Sequence, residues 1–248
     1  MTLPSFASAL RRIAAPASVA PVEAISSGQR ESGLAAATDA LVQAAQTLAR
    51  AGLVTGTAGN LSVRAGDLLA VTATGARLGE LRAEHVTIVD LDGRVVGGQL
   101  APTSELALHL EIYRRFAPGS IVHAHPPVAT ALACVLDELP CIHPDMLELG
   151  GALRVAPYRQ FGSQGFAQVT AEALQDRQAA LMSNHGTVVI GETPEQAVDR
   201  TRLLEWAAGL YWRGALIGTP RVLSEDQQQE LRATISRIGY GHIHPLDG

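Results

Sequence analysis

Lysine is absent from this sequence, in which all 19 basic side chains other than histidine are arginines. Enzymes that form a Schiff base, attach pyridoxal phosphate or hold a nucleotide in a P-loop need the primary amine of a lysine at a fixed place. The missing amine therefore excludes these kinds of mechanism. If the protein stabilises a carbanion, a metal ion has to accept the developing negative charge.

Cysteine is also scarce, since the chain contains only Cys134 and Cys141, which lie in an apolar stretch. Their spacing indicates neither a disulfide framework nor a Cys-x-x-Cys metal site. We expect both thiols to be buried and neither to belong to a site.

Blocks of like charge and long apolar runs are missing as well. The formal net charge of −5, with no block of like charges, provides no surface for nucleic acid or for an anionic membrane. No run of 18 uncharged apolar residues occurs, so no transmembrane helix is predicted. We therefore expect a cytoplasmic protein that acts on small molecules.

The residues that are present suit one mid-sized α/β domain, because 47% of the 248 residues are apolar and can form a single core. Residues 1–33 are rich in Ala, Ser and Pro and carry Arg11 and Arg12 before the first acidic residue. This composition faintly resembles a transit peptide. We interpret residues 1–33 as a disordered N-terminal extension and residues 34–248 as the catalytic domain.

Hydrophobic periodicity and turn signals predict helices and short strands in alternation. Helices are predicted at 34–50, 102–116, 129–136, 164–174, 194–217 and 224–238. Strands are predicted at 61–64, 68–73, 86–90, 95–96, 121–125 and 153–156, with two more on either side of His185. The early strands, joined by short turns, indicate an antiparallel sheet.

Three histidines are the first candidate site. His123 and His125 are two residues apart on a predicted strand, so both imidazoles project from the same face. His185 follows another strand-like run and precedes Gly186, whose backbone freedom would let the chain turn beside a metal. Three imidazoles leave a fourth position open, as in catalytic zinc sites. The alternative is that these histidines are partly buried and hydrogen-bonded without a metal.

Two loops and a helix start form a candidate anion site. The loop GTAGN at 56–60, the loop TATG at 72–75 and a helix opened by Pro102 offer small polar side chains and backbone N–H groups. Together they can bind a phosphate without lysine. Glu105, in the first turn of that predicted helix, is a candidate acid or base, although an acidic residue there is also ordinary.

The motifs GTAGNLSVR, TATG, PTSE, HAHP and NHG, in this order and spacing, resemble the class II aldolase/adducin family, and most closely its L-fuculose-phosphate aldolase-like branch. The resemblance covers roughly residues 34–240. It implies an α/β fold of three layers, α/β/α, with a central, mainly antiparallel sheet flanked by helices. It also implies that His123, His125 and His185 bind Zn²⁺, or another divalent metal such as Mn²⁺.

The resemblance extends to the substrate site and the assembly. It implies that Glu105 occupies the acid/base position and is a candidate metal contact when substrate is absent. It implies a homotetramer whose active sites lie between neighbouring subunits. It places five residues around the phosphate of a sugar substrate, namely Asn60, Thr74, Gly75, Thr103 and Ser104.

The chain departs from the fuculose-phosphate aldolase pattern at one position and matches it loosely at another. The family member has a tyrosine after the Ile-His pair that corresponds to Ile142 and His143, whereas this chain has Pro144. Tyr240 is a loosely aligned counterpart of a second functional tyrosine and a hypothetical proton donor. The neighbouring His242 and His244 repeat the two-residue spacing, but we expect them to be exposed to solvent.

The predicted reaction is metal-dependent cleavage of a ketose 1-phosphate, such as L-fuculose 1-phosphate or a related deoxy sugar phosphate. It would yield dihydroxyacetone phosphate and an aldehyde through a zinc-stabilised enediolate. A metal-dependent decarboxylase of a β-keto or hydroxy-aromatic acid is the closest alternative, since it needs no aldehyde pocket. An epimerase ranks lower, because that branch usually has Asp where this chain has Glu105. A non-enzymatic, adducin-like interaction domain would lack the three histidines.

Overall fold

Nine strands form one central sheet in the computed structural model, which describes residues 27–238. The strands are β1 (Asn60–Ala65), β2 (Leu68–Thr72), β3 (Val86–Asp90), β4 (Val95–Gly97), β5 (Ser120–Ala124), β6 (Glu138–Leu139), β7 (Leu153–Ala156), β8 (Ala179–Met182) and β9 (Gly186–Gly191). Their order across the sheet is β4-β3-β2-β1-β5-β9-β8-β7-β6. Only β7 and β8 pair in parallel in this part of the chain, so the prediction of a mainly antiparallel sheet is confirmed.

Helices cover both faces of the sheet. They are α1 (Ser27–Arg50), α2 (Leu106–Phe116), α3 (Pro127–Ala133), α4 (Gln164–Ala173), α5 (Pro194–Ile217) and α6 (Glu225–Ile238). Apolar side chains of α2 and α4 pack on one face of the sheet, and those of α1, α3 and α5 pack on the other. The predicted three-layer α/β/α fold is therefore confirmed. None of the helices between residues 27 and 238 is long and apolar enough to cross a membrane.

The first helix begins earlier than the sequence pattern predicted. It starts at Ser27 rather than at residue 34, so residues 27–33 are helical. Gly28, Arg30 and the three residues after it are exposed, which explains why no apolar periodicity marks these two turns. The rest of the proposed extension, residues 1–26, lies outside the described residues.

The prediction that both cysteines are buried is wrong for Cys134 and correct for Cys141. The helix α3 ends at Ala133, three residues before the predicted end, and Cys134 is its C-terminal cap. The chain leaves the core at this point, and the thiol is exposed there. Cys141 lies inside the apolar cluster that α3 and α5 form with the sheet.

Candidate metal centre and active site

The middle of the sheet carries the first histidine of the site. Strand β5 is hydrogen-bonded to β1 on one side and to β9 on the other, and His123 on β5 lies opposite Asn60 on β1. Because both neighbours are antiparallel and fully paired, the backbone at His123 is held on both edges. His123 is completely buried, and its Nδ1 donates to the carbonyl of Thr187 on β9 at 2.9 Å.

The second histidine lies just beyond the strand. The strand β5 ends at Ala124 rather than at residue 125, so His125 belongs to the turn that leads into α3. The carboxylate of Glu205 on α5 accepts hydrogen bonds from the backbone N–H groups of Val128 and Ala129, at 2.9 and 2.8 Å. These bonds cap the N-terminus of α3 and fix the segment that follows His125.

The third histidine comes from a tight hairpin between β8 and β9. The turn contains Asn184 in the left-handed backbone conformation, with φ of 56°, followed by His185. The imidazole of His185 stacks on the buried ring of Phe166 from α4, with the ring centroids 5.1 Å apart and the planes 15° from parallel. This contact fixes the orientation of a ring that is distant in sequence from the other two.

The three imidazoles converge on one point. Their possible ligand atoms all lie within 4.8 Å of one another, and the Nε2 atoms of His123 and His125 are 3.1 Å apart. Two nitrogens bound to one zinc ion at about 2.0 to 2.1 Å, in tetrahedral geometry, would be separated by about 3.4 Å. The spacing is therefore close to that of ligands sharing a metal ion.

Glu105 completes this cluster from the start of α2. The helix begins at Leu106 and not at Pro102, so Glu105 is its N-terminal cap rather than a first-turn residue. Its Oε2 lies 3.0 Å from Nε2 of His123, and its Oε1 lies 3.5 Å from Nε2 of His185. His123 gives its Nδ1 proton to Thr187, so Nε2 and the carboxylate oxygen can approach this closely only around a shared cation, either a proton or a metal ion.

The charge states of these groups suit a divalent cation. Burial raises the pKa of Glu105, but the hydrogen bond and charge of His123 and the hydrogen bond from Asn60 outweigh it and lower the pKa to about 2. Burial, together with positive charge on neighbouring histidines, lowers the pKa of His125 to about 4 and also lowers that of His185. Neutral imidazole is the form that binds metals. The buried Oε1 of Glu105 has no hydrogen-bond partner, which also fits a nearby cation.

Gly186 matters for a reason other than the predicted one. Its φ is not positive, so the turn does not depend on its backbone freedom. Instead, a Cβ atom at this position would lie 2.6 Å from Cδ2 of His125 and 2.7 Å from the carbonyl oxygen of Ala124. The backbone of β9 therefore approaches the imidazole of His125 as closely as only glycine allows.

We expect Gly186→Ala to weaken divalent metal binding by about 10- to 100-fold, the range found when groups that support metal ligands are altered. The added methyl group would push the ring of His125 away from Nε2 of His123. Titration of the metal-free variant with Zn²⁺ measures the effect. Gly165→Ala is the matched control, since a Cβ there meets nothing within 4 Å. Equal affinity in the two variants would contradict this reading of the close approach.

The TATG loop lies beside the segment that precedes α2, and both were predicted to contribute to an anion site. An isolated antiparallel bridge joins Ala73 to Pro102, with hydrogen bonds of 3.0 Å from Thr74 N to the carbonyl of Ala101 and from Thr103 N to the carbonyl of Thr72. This bridge places the TATG loop next to the segment that leads into Glu105. The exposed side chain of Thr74 and that of Ser104 are thus brought to one end of the site.

The histidines and the loops share one cavity of about 260 Å³. Its lining includes every predicted site residue except Tyr240, which lies outside the described residues. The lining residues are Thr57, Ala58, Gly59, Asn60, Ala73, Thr74, Gly75, Thr103, Ser104, Glu105, His123, His125, Phe161 and His185. None of them is an arginine or a lysine, so an anion in this cavity would meet hydroxyls, amides and the histidine cluster.

Comparison with known proteins gives the same assignment as the geometry. Residues 39–212 match the family described as Class II Aldolase and Adducin N-terminal domain. The chain belongs to this family. Class II aldolases depend on a divalent metal, and the cluster of His123, His125 and His185 could bind one.

Individual relatives match over most of the chain. A 5-deoxy-D-ribulose 1-phosphate aldolase from Bacillus thuringiensis serovar kurstaki is 35% identical over 193 residues, which are 77% of this chain and 90% of that protein. A 3-oxo-tetronate 4-phosphate decarboxylase from Haemophilus influenzae is 35% identical over 179 residues, 69% of this chain and 85% of that protein. A solved L-fuculose 1-phosphate aldolase gives a TM-score of 0.78 at 30% identity, covering 81% of this chain and 96% of that one. The predicted family is confirmed, and this chain is a class II aldolase-type enzyme.

Several features of this class II aldolase site were not predicted from the sequence. Phe161 in the cavity wall and Phe166 against His185 come from the segment after β7, where no polar motif marks them. Pro144 begins a 3₁₀ turn, Pro144–Leu149, and is not among the cavity-lining residues of its own chain. His109, buried behind Asn60, carried one usable signal, since it interrupts the apolar stripe of α2.

Proposed function

We propose that this enzyme cleaves a short deoxyketose 1-phosphate to dihydroxyacetone phosphate and an aldehyde. The observation that carries the proposal is the convergence of three imidazole nitrogens with a buried carboxylate oxygen that lacks a hydrogen-bond partner, in one cavity with two hydroxyl-rich loops. A site with three nitrogen ligands and an open side suits catalysis better than a purely structural role.

The residues divide into three roles in this proposal. His123, His125 and His185 would hold Zn²⁺, or another divalent ion such as Mn²⁺. When bound, this ion supplies Lewis-acid stabilisation of negative charge on substrate oxygens. Asn60, Thr74, Gly75, Thr103 and Ser104 would surround the phosphate with amide, hydroxyl and backbone donors.

Glu105 is proposed to move the proton that the reaction needs. In cleavage, the C4 hydroxyl loses its proton, the C3–C4 bond breaks to leave an aldehyde, and the electron pair passes into the C2 carbonyl to give an enediolate. A proton delivered to C3 then completes dihydroxyacetone phosphate. The carboxylate of Glu105 lies in the cavity beside the metal-binding nitrogens, where it can exchange this proton. Tyr240 is proposed as the proton partner on the aldehyde side.

The substrate class rests on the cavity wall and on the relatives. A relative that is 35% identical is named for 5-deoxy-D-ribulose 1-phosphate, and a solved relative for L-fuculose 1-phosphate. Both of these substrates are ketose 1-phosphates that end in a methyl group. The ring of Phe161, with its centroid 6.3 Å from that of His185, provides an apolar wall that suits such an end.

We expect the metal-loaded enzyme to release dihydroxyacetone phosphate from 5-deoxyribulose 1-phosphate, from L-fuculose 1-phosphate, or from both. The test compares these two compounds with a 3-oxo acid 4-phosphate, and measures dihydroxyacetone phosphate and carbon dioxide in parallel. Enzyme treated with a chelator and enzyme reloaded with Zn²⁺ are the controls. Carbon dioxide from the 3-oxo acid 4-phosphate, with no dihydroxyacetone phosphate from either ketose 1-phosphate, would refute the aldolase proposal, as would an equal rate in the chelated sample.

A decarboxylase is the second candidate, and two observations favour it. The chain is 35% identical to a relative named for decarboxylation of 3-oxo-tetronate 4-phosphate. Pro144 stands where the fuculose-phosphate aldolase pattern has a tyrosine on the aldehyde side. Decarboxylation gives a similar enolate without an aldehyde product, so that tyrosine would be dispensable.

We also propose a homotetramer with active sites between subunits. The helix α5 exposes large apolar side chains, of which Trp212 is 45% exposed, Leu216 69% and Ile217 91%. Exposed apolar residues grouped on one helix are typical of interaction surfaces.

A further inference from the structure

A chain of buried polar side chains leads away from Glu105 into the layer between α2 and the sheet. Nδ2 of Asn60 donates to Oε2 of Glu105 at 2.8 Å, and Oδ1 of Asn60 lies 2.6 Å from Nε2 of His109. Nδ1 of His109 lies 2.7 Å from Oγ of Ser62, which is 3.0 Å from the hydroxyl of Tyr113. All five side chains are buried, and His109 has no exposed surface.

The carboxylate of Glu105 fixes the direction of every hydrogen bond in this series of buried side chains. Glu105 only accepts, so the amide of Asn60 must turn its nitrogen to Glu105 and its oxygen to His109. Nε2 of His109 must then carry the proton, and Nδ1 must accept one from Ser62. The single proton of Ser62 is used in this way, so Tyr113 donates to Oγ of Ser62. Burial lowers the pKa of His109 to about 3, which keeps the ring neutral with one proton to give.

We propose that His109 is a positioning residue for the aldolase reaction, because its Nε2–H holds the amide of Asn60 with both amide hydrogens available to Glu105 and substrate. One of these hydrogens holds Oε2 of Glu105. The other remains for an anionic oxygen of the substrate, in the cavity that Asn60 lines. The role in the reaction rests on the proposed function, whereas the hydrogen-bond direction does not.

His109 and Glu105 lie on the same helix, and Asn60 contacts both of their side chains. Glu105 and His109 are one turn apart on α2, and the backbone N–H of His109 also donates to the carbonyl of Glu105 at 3.4 Å. Asn60 reaches both side chains from the strand β1, opposite His123. An apolar residue at position 109 would pack equally well on the buried face of α2. It would, however, leave the buried oxygen of Asn60 without a hydrogen-bond donor.

The first test measures the unmodified protein and uses a variant only to assign signals. In ¹⁵N-labelled, metal-free protein, two-bond ¹H–¹⁵N spectra of the histidine rings distinguish the tautomers. We expect His109 to be neutral, with the proton on Nε2 and an accepting Nδ1, and its signals to be assigned by their loss in His109→Gln. A proton on Nδ1, or a doubly protonated ring at neutral pH, would overturn the proposal whether or not the enzyme is an aldolase.

The second test compares two substitutions that keep different halves of the imidazole. Gln can place an N–H near the position of Nε2, whereas Asn reaches only the position of Nδ1 and Ser62. We expect His109→Asn to lower kcat/KM by about 10- to 100-fold, the usual cost of losing such a supporting contact, and His109→Gln to recover most of the loss. Equal losses in both variants would contradict a role for the Nε2 proton.

The coupling to Asn60 separates positioning from general stability. If His109 acts through Asn60, then adding His109→Asn to Asn60→Ala causes no further loss, whereas multiplying losses would overturn the proposal. Tyr113→Phe, at the far end of the chain, should stay within about 3-fold of the unmodified enzyme if only the Nε2 donor matters. A loss as large as that of His109→Asn would show that the core has merely loosened.

Binding of inorganic phosphate to the metal-free protein provides a readout without turnover. We expect His109→Asn to raise the dissociation constant for phosphate by about 10-fold, because Asn60 is no longer held as a donor. An unchanged constant would count against the second amide hydrogen as a substrate contact. Failure of the aldolase assay together with the expected tautomer and phosphate result would refute the proposed function and leave the positioning of Asn60 intact.

Discussion

Replacing Glu105 by glutamine is expected to slow turnover by about 10²- to 10⁴-fold, the usual contribution of a positioned acid or base. Glutamine has nearly the same shape and can still fill the space at the start of α2. It cannot exchange a proton at neutral pH. The three imidazoles are unchanged, so the variant should still bind about one divalent ion per chain. Steady-state kcat and the metal content of the purified protein measure the two effects separately.

The matched control for this substitution is Glu195→Gln. Glu195 is an exposed carboxylate in the first turn of α5, a similar position at a helix start but outside the cavity. Its replacement should leave kcat unchanged within about 2-fold, as surface substitutions usually do. Full turnover in Glu105→Gln would remove Glu105 as the acid or base. Loss of the metal in that variant would instead make the carboxylate mainly a ligand.

His185→Ala is expected to abolish stoichiometric metal binding and, with it, measurable activity. Removing one of three nitrogen ligands should cost more than the 10- to 100-fold in affinity that changes around the ligands cost. His185 is the best ligand to test because it lies on a hairpin and is partly exposed, so its loss leaves the central strand intact. Metal content after dialysis and the rate of aldehyde release measure the outcome.

His85→Gln is the control for the loss of a histidine. His85 lies in a surface turn before β3 and lines no part of the cavity. Circular dichroism of both variants establishes that the fold is retained. If His185→Ala keeps one tightly bound ion per chain and normal turnover, the three-histidine site is wrong.

Many helices and strands of this protein could be predicted from local sequence patterns. The helix at 194–217 and the strand at 86–90 coincide with α5 and β3, because Thr193 and Pro194 mark a helix start and a run of β-branched residues marks a strand. His123 and His125 were recognisable as a pair from their spacing alone. The strand-like run before His185 suggested a third ligand, and the order of motifs joined Glu105 to the three histidines.

The parts that escaped prediction depend on distances between segments that are far apart in the chain. The clash that a Cβ of Gly186 would make with His125 exists only once β9 pairs with β5. The capping position of Glu105 was misread because Pro102 is an ordinary first residue of a helix, whereas here it pairs with Ala73. Exposure of Cys134 likewise depends on where α3 stops against the core.

Strand β5 holds His123 in place through backbone pairing on both edges, so the position of this histidine in the sheet does not depend on a bond to a metal ion. Chelation should therefore yield an intact apoprotein rather than a denatured one, unlike small zinc domains that fold only with their metal. The metal-free protein should bind Zn²⁺, Mn²⁺ or Co²⁺ when each is added separately. A single preparation can therefore be reconstituted with each metal and the restored activities compared.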